Sequence, residues 1–319
     1  MLPKQPILSS LTPFTRVLFA VLLMITCFGI TFLLGFLMAG PLFGVGIADI
    51  TLAITNMDDP KTLQVLQYFQ VVQSLGLFIF PPLLAGFFFE GNSFRFLLLD
   101  RKSWWHVYLM TLILMIVSVP FINGLVIWNE SMVLPDSLKW MEDWMKNSEE
   151  QAAKLTEAFM KMPTVGAFLF NLLMIAVLPS IGEELVFRGL FQRLFRDWLG
   201  NIHLAIFISA FFFSAMHMQF YGFLPRLVLG LILGYVFYLS GSLWMPILAH
   251  FIQNGSVVTI TWLGQQGVIK GDYENFGTTE NIWIILVSFL LTAIMVGLIG
   301  RFAEKKPGKL SKEFHRLYN

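Results

Sequence analysis

The chain has 319 residues, of which 56% are hydrophobic and 13% are charged, and its mean hydropathy is +0.72. This composition excludes an ordinary soluble domain, and the net charge of +1 gives no electrostatic reason to expect nucleic acid as a partner. The single cysteine, Cys27, excludes an intramolecular disulfide and a cysteine metal cluster.

Apolar stretches of about 20 residues recur along the chain, which is the length that a helix needs to cross a hydrocarbon core of ~30 Å. Lipid cannot bond to backbone N–H and C=O groups, so the natural structure for each stretch is a helix. We therefore predict an all-α fold, a polytopic membrane helical bundle with about eight transmembrane helices. The predicted spans are residues 14–39, 66–89, 105–128, 165–196, 201–219, 223–240, 243–262 and 281–300. The first is too long for the apolar region of a signal peptide, and no cleavable signal is evident.

The longest polar connection, residues 129–163, combines tryptophans with an excess of acidic residues. This pattern predicts an interfacial, partly amphipathic helical segment outside the bilayer core.

Charge asymmetry predicts the orientation, because Lys and Arg favour cytoplasmic loops. With eight spans the basic groups fall on one side: Lys4, Arg16, Arg95, Arg101, Lys102, Arg193, Arg196, Arg301, Lys305 and Lys306. The opposite loops hold the acidic 129–163 segment and Asp49, Asp58, Asp59, Asp272 and Glu274. We predict an integral membrane protein with both termini cytoplasmic and a basic tail on the anionic leaflet. The short chain without organelle signals favours the plasma (inner) membrane of a bacterium.

Ionisable and amide side chains inside the spans are functional candidates, since polar groups at membrane depth are costly unless they are paired or face water. They are Glu183, Glu184 and Arg188 in span four, His217 in span five, and His250 and Asn254 in span seven. Glu184 and Arg188 are four residues apart, so they share a helix face and can form an ion pair, whereas Glu183 points about 100° away. The alternative is a purely structural salt bridge. Pro179 and Gly182 predict a kink or loosened turn that admits water.

The predicted depths of these residues in the membrane, counted from the cytoplasmic ends of their spans, agree. At about 1.5 Å per helical residue, Glu183 lies ~20 Å from Arg196 and His217 ~24 Å from Asn201. On the same scale, His250 and Asn254 lie ~12 and ~18 Å from Ser242. This agreement favours a shared site over scattered structural polar groups. The other histidines, His106, His203 and His315, are interpreted as ordinary packing or surface residues.

This set of side chains can act on a carbonyl in two ways. A carboxylate and an imidazole can share general-base activation of water, while the i,i+4 pair His250/Asn254 donates to the developing oxyanion. Alternatively, Glu183, His217 and His250 would bind a catalytic zinc, although the HExxH pattern is absent. Ser180 and Ser214 are nearby, but a hydroxyl nucleophile is the second choice because neither is obviously paired with a histidine.

The ordered set EELVFR, FSAMH and HFIQN resembles the EExxxR, FxxxH and HxxxN motifs of the CPBP family, which contains type II CAAX prenyl proteases and bacteriocin-processing or immunity proteins. The resemblance covers about Val165 to Leu263 and divides the chain into three parts. Residues 1–164 hold N-terminal transmembrane helices with the 129–163 segment outside the cytoplasm, residues 165–263 form the CPBP-like catalytic core, and residues 264–319 form the last helix and basic tail.

The resemblance implies an intramembrane endopeptidase that hydrolyses a peptide bond of a membrane-associated protein or peptide, with the lipid bilayer and that substrate as its partners. Glu183 with His217 would activate water, His250 and Asn254 would hold the oxyanion, and Glu184 with Arg188 would support the site. We favour no cofactor, because Asn254 is a poor zinc ligand, and keep zinc as the alternative. Two rival functions remain open: a proton- or ion-coupled transporter, and a non-catalytic bacteriocin-immunity membrane protein.

Overall fold

A computed structural model describes residues 6–46, 59–273 and 275–303, and over these residues the protein is helical without any strand. This confirms the predicted all-α fold. The main helices are α1 Pro13–Phe43, α2 Pro60–Glu90, α3 Trp105–Glu130, α4 Lys139–Phe159, α5 Val165–Leu199, α6 Ile202–Ala215, α7 Phe223–Ser240, α8 Trp244–Gln265 and α9 Ile282–Ala303.

Within these ranges, six helices are long and apolar enough to cross a membrane, namely α1, α2, α3, α5, α7 and α9. The predicted number of eight spans is not confirmed. Helix α6 has 14 residues, so it is only ~21 Å long. Helix α8 has 22 residues, but polar side chains such as His250, Gln253 and Asn254 lower its hydropathy. The two helices that fall short are thus the ones that carry or precede predicted site residues.

Helix α5 is continuous over 35 residues, and its hydrogen-bond pattern widens twice to the π form, at Leu172–Val177 and Leu185–Phe191. Pro179 lies between these segments. Proline has no N–H, so it cannot bond to the carbonyl four residues earlier, which is that of Ile175. The loosened backbone expected around Pro179 therefore takes the form of two π segments, which are frequent at functional sites.

Glycines on α5 and α7 allow close packing around the site. A Cβ on Gly182 would lie 2.7 Å from the Cβ of Phe78 in α2, and one on Gly234 in α7 would lie 2.8 Å from Ile206 in α6. Small residues at such crossings let membrane helices approach each other closely. Helix α5 is consequently held among α2, α6, α7 and α8, which brings the motifs of α5, α6 and α8 together.

The bundle has two distinct ends. At the end that we call the basic end, the backbone N–H of Leu8 donates to Phe88, Arg193 lies 3.8 Å from Glu90, and Ser242 Oγ donates to the carbonyl of Arg101. At the opposite, acidic end lie the connections 131–164, 216–222 and 266–281. The predicted interfacial segment at this end is the amphipathic helix α4, with Trp140 and Trp144 exposed.

Candidate active site

Glu184 and Arg188 form a buried ion pair in α5. Arg188 Nη1 donates to Glu184 Oε1 at 2.7 Å, and the two side chains are 1% and 0% exposed. Arg188 Nη2 also donates to the carbonyl of Gly230 in α7 at 3.0 Å. A buried guanidinium stays charged, so each of these contacts offsets its desolvation. The pair ties α5 to α7.

The same carboxylate oxygen of Glu184 also orients His250 of α8, whose Nδ1 lies 2.9 Å away. The same Oε1 accepts from Arg188, so it is an acceptor here too, and Nδ1 carries the proton and donates. The other ring nitrogen, Nε2, lies 3.9 Å from Glu183 Oε2. Glu184 thus fixes the tautomer and the direction of His250, a connection between two motifs that the sequence pattern did not indicate.

Glu183 differs from its neighbour in its contacts. Oε2 of each glutamate is buried without a hydrogen-bond partner within the protein, but Glu184 Oε1 accepts from Arg188 and His250, whereas Glu183 Oε2 lies 3.9 Å from His250 Nε2. Adjacent positions on a helix point about 100° apart, so Glu184 faces Arg188 while Glu183 faces a cavity. A buried carboxylate oxygen without a protein partner needs water or another ligand. Glu183 is therefore available for chemistry in a way that Glu184 is not.

His217 lies two residues beyond the end of α6. The predicted helix to residue 219 was wrong: α6 ends at Ala215, and the chain turns through Met218, whose φ of 53° is left-handed. The ring Nδ1 of His217 lies 2.8 Å from the carbonyl of Phe213. A carbonyl oxygen can only accept, so Nδ1 holds the proton and neutral His217 keeps its lone pair on Nε2. That nitrogen can act as a base.

Phe213, the aromatic residue of the FSAMH motif, packs against three members of the site. Its ring centroid is 4.6 Å from the guanidinium carbon of Arg188, and 5.2 and 5.8 Å from the ring centroids of His217 and His250. The ring face attracts the cation, and the edge contacts hold both imidazoles.

Asn254 lies one turn after His250 on α8, and its Nδ2 donates to the carbonyl of Ile175 at 3.2 Å. This is the carbonyl that Pro179 cannot bond. Since an amide nitrogen has two hydrogens, Asn254 keeps one donor for a ligand. The proline of α5 and the asparagine of α8 are thus a complementary pair.

A cavity of about 330 Å³ brings Glu183, His217, His250 and Asn254 together on its wall. Glu184 and Arg188 lie behind it. The cavity also contains side chains that motif analysis missed: Asn123, Glu130, Glu149, Tyr221, Arg226 and Gln253. Gln253 precedes Asn254 on α8 and shares the cavity with it and His250. Arg226 donates to the carbonyl and side chain of Gln219, at 3.2 and 2.5 Å. Arg226 lies inside the predicted span 223–240, and a charge within a predicted span was the signal in the sequence for this group.

Other polar candidates are engaged elsewhere. Ser180 and Ser214 donate to the carbonyls of Ala176 and Phe223, so neither hydroxyl is poised as a nucleophile. His106 stacks on Trp104, and His203 bonds to Tyr235 at 2.9 Å. His315 lies outside the described residues.

The alternative zinc site needs three side chains that converge on one point. No group of three His, Cys, Asp or Glu side chains in the described parts of the chain is placed to hold a metal ion. Nε2 of His250 is 3.9 Å from Glu183 Oε2, farther than the roughly 3.4 Å that two ligands at ~2.1 Å span in a tetrahedral site. Zinc stays the alternative prediction to the metal-free site.

Comparison with known proteins finds one family model that matches the part of the chain containing this site. Residues 165–256 match the family model described as "Rce1-like: Type II CAAX prenyl endopeptidase Rce1-like". No curated protein and no solved structure matches. The matched region runs from the start of α5 into α8 and contains all six predicted site residues. Together with the apolar helices, this match supports an integral membrane protein. The resemblance to the CPBP family predicted from the three motifs is confirmed by this family model over residues 165–256.

Proposed function

We propose that the protein is a metal-free glutamate-type endopeptidase that hydrolyses a peptide bond of a membrane-associated substrate within this cavity. One observation carries the proposal: the carboxylate of Glu183, which lacks a protein partner for Oε2, shares a cavity with two imidazoles and an amide from separate helices. A cavity of about 330 Å³ accepts a few residues of an extended peptide together with water.

Water activation is the first step. A water molecule donates one hydrogen bond to the Glu183 carboxylate and its second to Nε2 of His217. One of these bases takes a proton as the water oxygen attacks the scissile carbonyl carbon, which gives a tetrahedral intermediate. General-base catalysis of this kind contributes about 10²–10⁴ in rate.

The oxyanion of the intermediate then requires donors. Asn254 offers its second amide hydrogen. His250 can donate from Nε2 only as the imidazolium, because Nδ1 already donates to Glu184. The ring lies between two carboxylates, with Nδ1 2.9 Å from Glu184 Oε1 and Nε2 3.9 Å from Glu183 Oε2. Collapse of the intermediate expels the amine, which receives the proton held by Glu183 or His217, so the atoms and charges balance. Each oxyanion donor is worth roughly 10²–10³ in kcat.

The test uses the purified full-length chain in proteoliposomes with membrane-tethered peptides, in which cleavage is followed by mass spectrometry. Glu183→Gln, His217→Ala, His250→Ala and Asn254→Ala should each lower cleavage by at least about two orders of magnitude. Glu90→Gln is the matched control, because it makes the same carboxylate-to-amide change at the basic end, 3.8 Å from Arg193 and away from the cavity. Cleavage that survives Glu183→Gln would overturn the proposal.

Metal dependence is measured on the same sample. We expect less than one equivalent of zinc per chain and no loss of cleavage with a chelator. Stoichiometric zinc, together with inactivation by the chelator and recovery on adding zinc, would show that the metal-free mechanism is wrong while the endopeptidase activity stands.

A further inference from the structure

Arg226 is a cation on the cavity wall that the proposed chemistry does not use. It lies in the first turn of α7 and is half-buried. Among the described residues that line the cavity it is the single Lys or Arg, and it shares that wall with Glu183 and His217. A charged side chain inside a predicted span is a functional candidate, because its desolvation must be offset by a partner or a ligand.

The guanidinium of Arg226 bonds to a neutral residue. Nη1 donates to the carbonyl of Gln219 at 3.2 Å, and Nη2 donates to the side-chain oxygen of the same residue at 2.5 Å. Arg188 and Arg193 of α5, by contrast, lie 2.7 and 3.8 Å from a glutamate oxygen. In the described part of the chain, no carboxylate lies within 4.0 Å of the Arg226 nitrogens. A guanidinium has five N–H groups, so the two bonds to Gln219 leave three for a ligand.

Gly222 lets this guanidinium lie against the backbone of the turn before α7. Its φ of −104° is open to any residue, so the backbone conformation does not require glycine here. A Cβ at this position, however, would lie 2.8 Å from Cζ of Arg226 and 2.9 Å from Nη2. Gly222 and Gln219 therefore fix the position of the planar guanidinium before any ligand binds. A guanidinium held in this way is suited to a carboxylate, which can accept two parallel N–H bonds.

The other charges of the cavity wall make this position selective. Glu130, Glu149 and Glu183 line the same cavity, so an anionic group placed next to any of them would be repelled. Oε2 of Glu149 accepts from the backbone N–H of Tyr221 at 3.4 Å, so that side chain is engaged with the turn. An anionic group that enters the cavity is consequently favoured at Arg226.

We propose that Arg226 is a specificity-determining residue that binds a carboxylate of the peptide substrate. The carboxylate is either the C-terminal group of the peptide or the side chain of an Asp or Glu. By holding it, Arg226 sets which peptide bond faces Glu183. The inference rests on the proposed function for the cleavage of that bond, but the binding of a carboxylate does not require cleavage.

Peptide binding tests the proposal on the full chain in proteoliposomes of neutral phosphatidylcholine. The probes are a set of short apolar peptides with an N-terminal palmitoyl chain as the membrane tether. Each sequence is made in three forms: the free C-terminal acid, the C-terminal amide, and the amide with one Asp close to the C-terminus. Affinities are measured from the fluorescence of the protein's tryptophans, with peptides that contain no tryptophan.

We expect a form that carries a carboxylate to bind about 10- to 100-fold more tightly than the plain amide. Arg226→Gln should bind all three forms with similar affinity. Gly222→Ala keeps the charge but displaces the guanidinium, so it should lose most of the preference too, and it serves as the test if Arg226→Gln does not fold. The matched control is Arg95→Gln, which makes the same change on the exposed side of the short helix Ser93–Phe96, away from the cavity, and should keep the wild-type preference.

The source of the carboxylate follows from which form binds. A preference for the free acid identifies the C-terminal group, and a preference for the Asp peptide identifies an acidic side chain. A purely structural role of Arg226 would weaken the binding of all three forms equally in Arg226→Gln. That result, or a wild-type protein that binds no carboxylate form more tightly than the plain amide, would overturn the proposal. If the preference depends on Arg226 but no peptide bond is cleaved, the proposed function fails while the carboxylate site stands.

Discussion

Two adjacent glutamates should respond in opposite ways to the same chemical change. Glu184→Gln removes the charge that compensates the buried Arg188, whose side chain is 1% exposed, and weakens the acceptor of His250 Nδ1. Breaking a buried pair by removing one partner costs about 3–5 kcal/mol. Glu183→Gln removes a carboxylate whose Oε2 has no hydrogen-bond partner, so it should change the free energy of unfolding by less than ~1 kcal/mol.

Thermal unfolding in detergent, followed by the fluorescence of the nine tryptophans, measures this contrast. At roughly 2 °C per kcal/mol for a chain of this size, Glu184→Gln should lower Tm by ~6–10 °C, and Glu183→Gln should leave it nearly unchanged. Cleavage activity should show the reverse for Glu183→Gln, with full loss in a stably folded protein. Adding Arg188→Met to Glu184→Gln removes the uncompensated cation and should recover part of the lost stability.

Equal Tm values for the two glutamine variants would refute the assignment of a structural role to one carboxylate and a reactive role to the other. So would a large loss of stability in Glu183→Gln alone. A double variant that is less stable than Glu184→Gln would show that Arg188 is held by contacts other than that charge, such as the carbonyl of Gly230.

Further predictions concern the supports of the site. Asn129→Ala removes the contacts that Asn129 makes with the carbonyl of Phe220 and the N–H of Leu224, at 3.1 and 2.8 Å, so it should destabilise by about 1–3 kcal/mol and lower kcat, because these contacts hold the turn after His217. A normal kcat in a folded Asn129→Ala variant would contradict this role. Gly182→Ala should cost about 1–3 kcal/mol, because the added Cβ would lie 2.7 Å from Phe78, whereas Gly29→Ala in α1 meets nothing within 4 Å and should gain ~0.5–1 kcal/mol. Similar unfolding temperatures for the two alanine variants would argue against close packing of α2 on α5.

Much of the arrangement was predictable from local rules. The period of the α-helix places Glu184 and Arg188 on one face and Glu183 on another, and the structure has an ion pair at 2.7 Å in one case and a side chain on the cavity wall in the other. Hydropathy likewise indicated a helical membrane bundle and an amphipathic segment between α3 and α5. The predicted count of eight spans is not confirmed, because α6 is too short and α8 too polar to qualify as a span by length and hydropathy. The catalytic roles of the residues stay predictions.

The sequence by itself determined the membrane setting, the motif residues and the pairing within α5, since these depend on composition and on the spacing of residues along one helix. Only the tertiary structure decided which atoms meet across helices: Glu184 with His250, Asn254 with the carbonyl of Ile175 that Pro179 cannot bond, and Arg226 and Glu149 beside the motif residues. It also decided that the cavity extends toward the acidic end, where Glu149 and Tyr221 line it. The physical reason is that contacts between helices depend on crossing positions and backbone irregularities, such as the early end of α6 and the π segments of α5, which no periodicity along a single helix encodes.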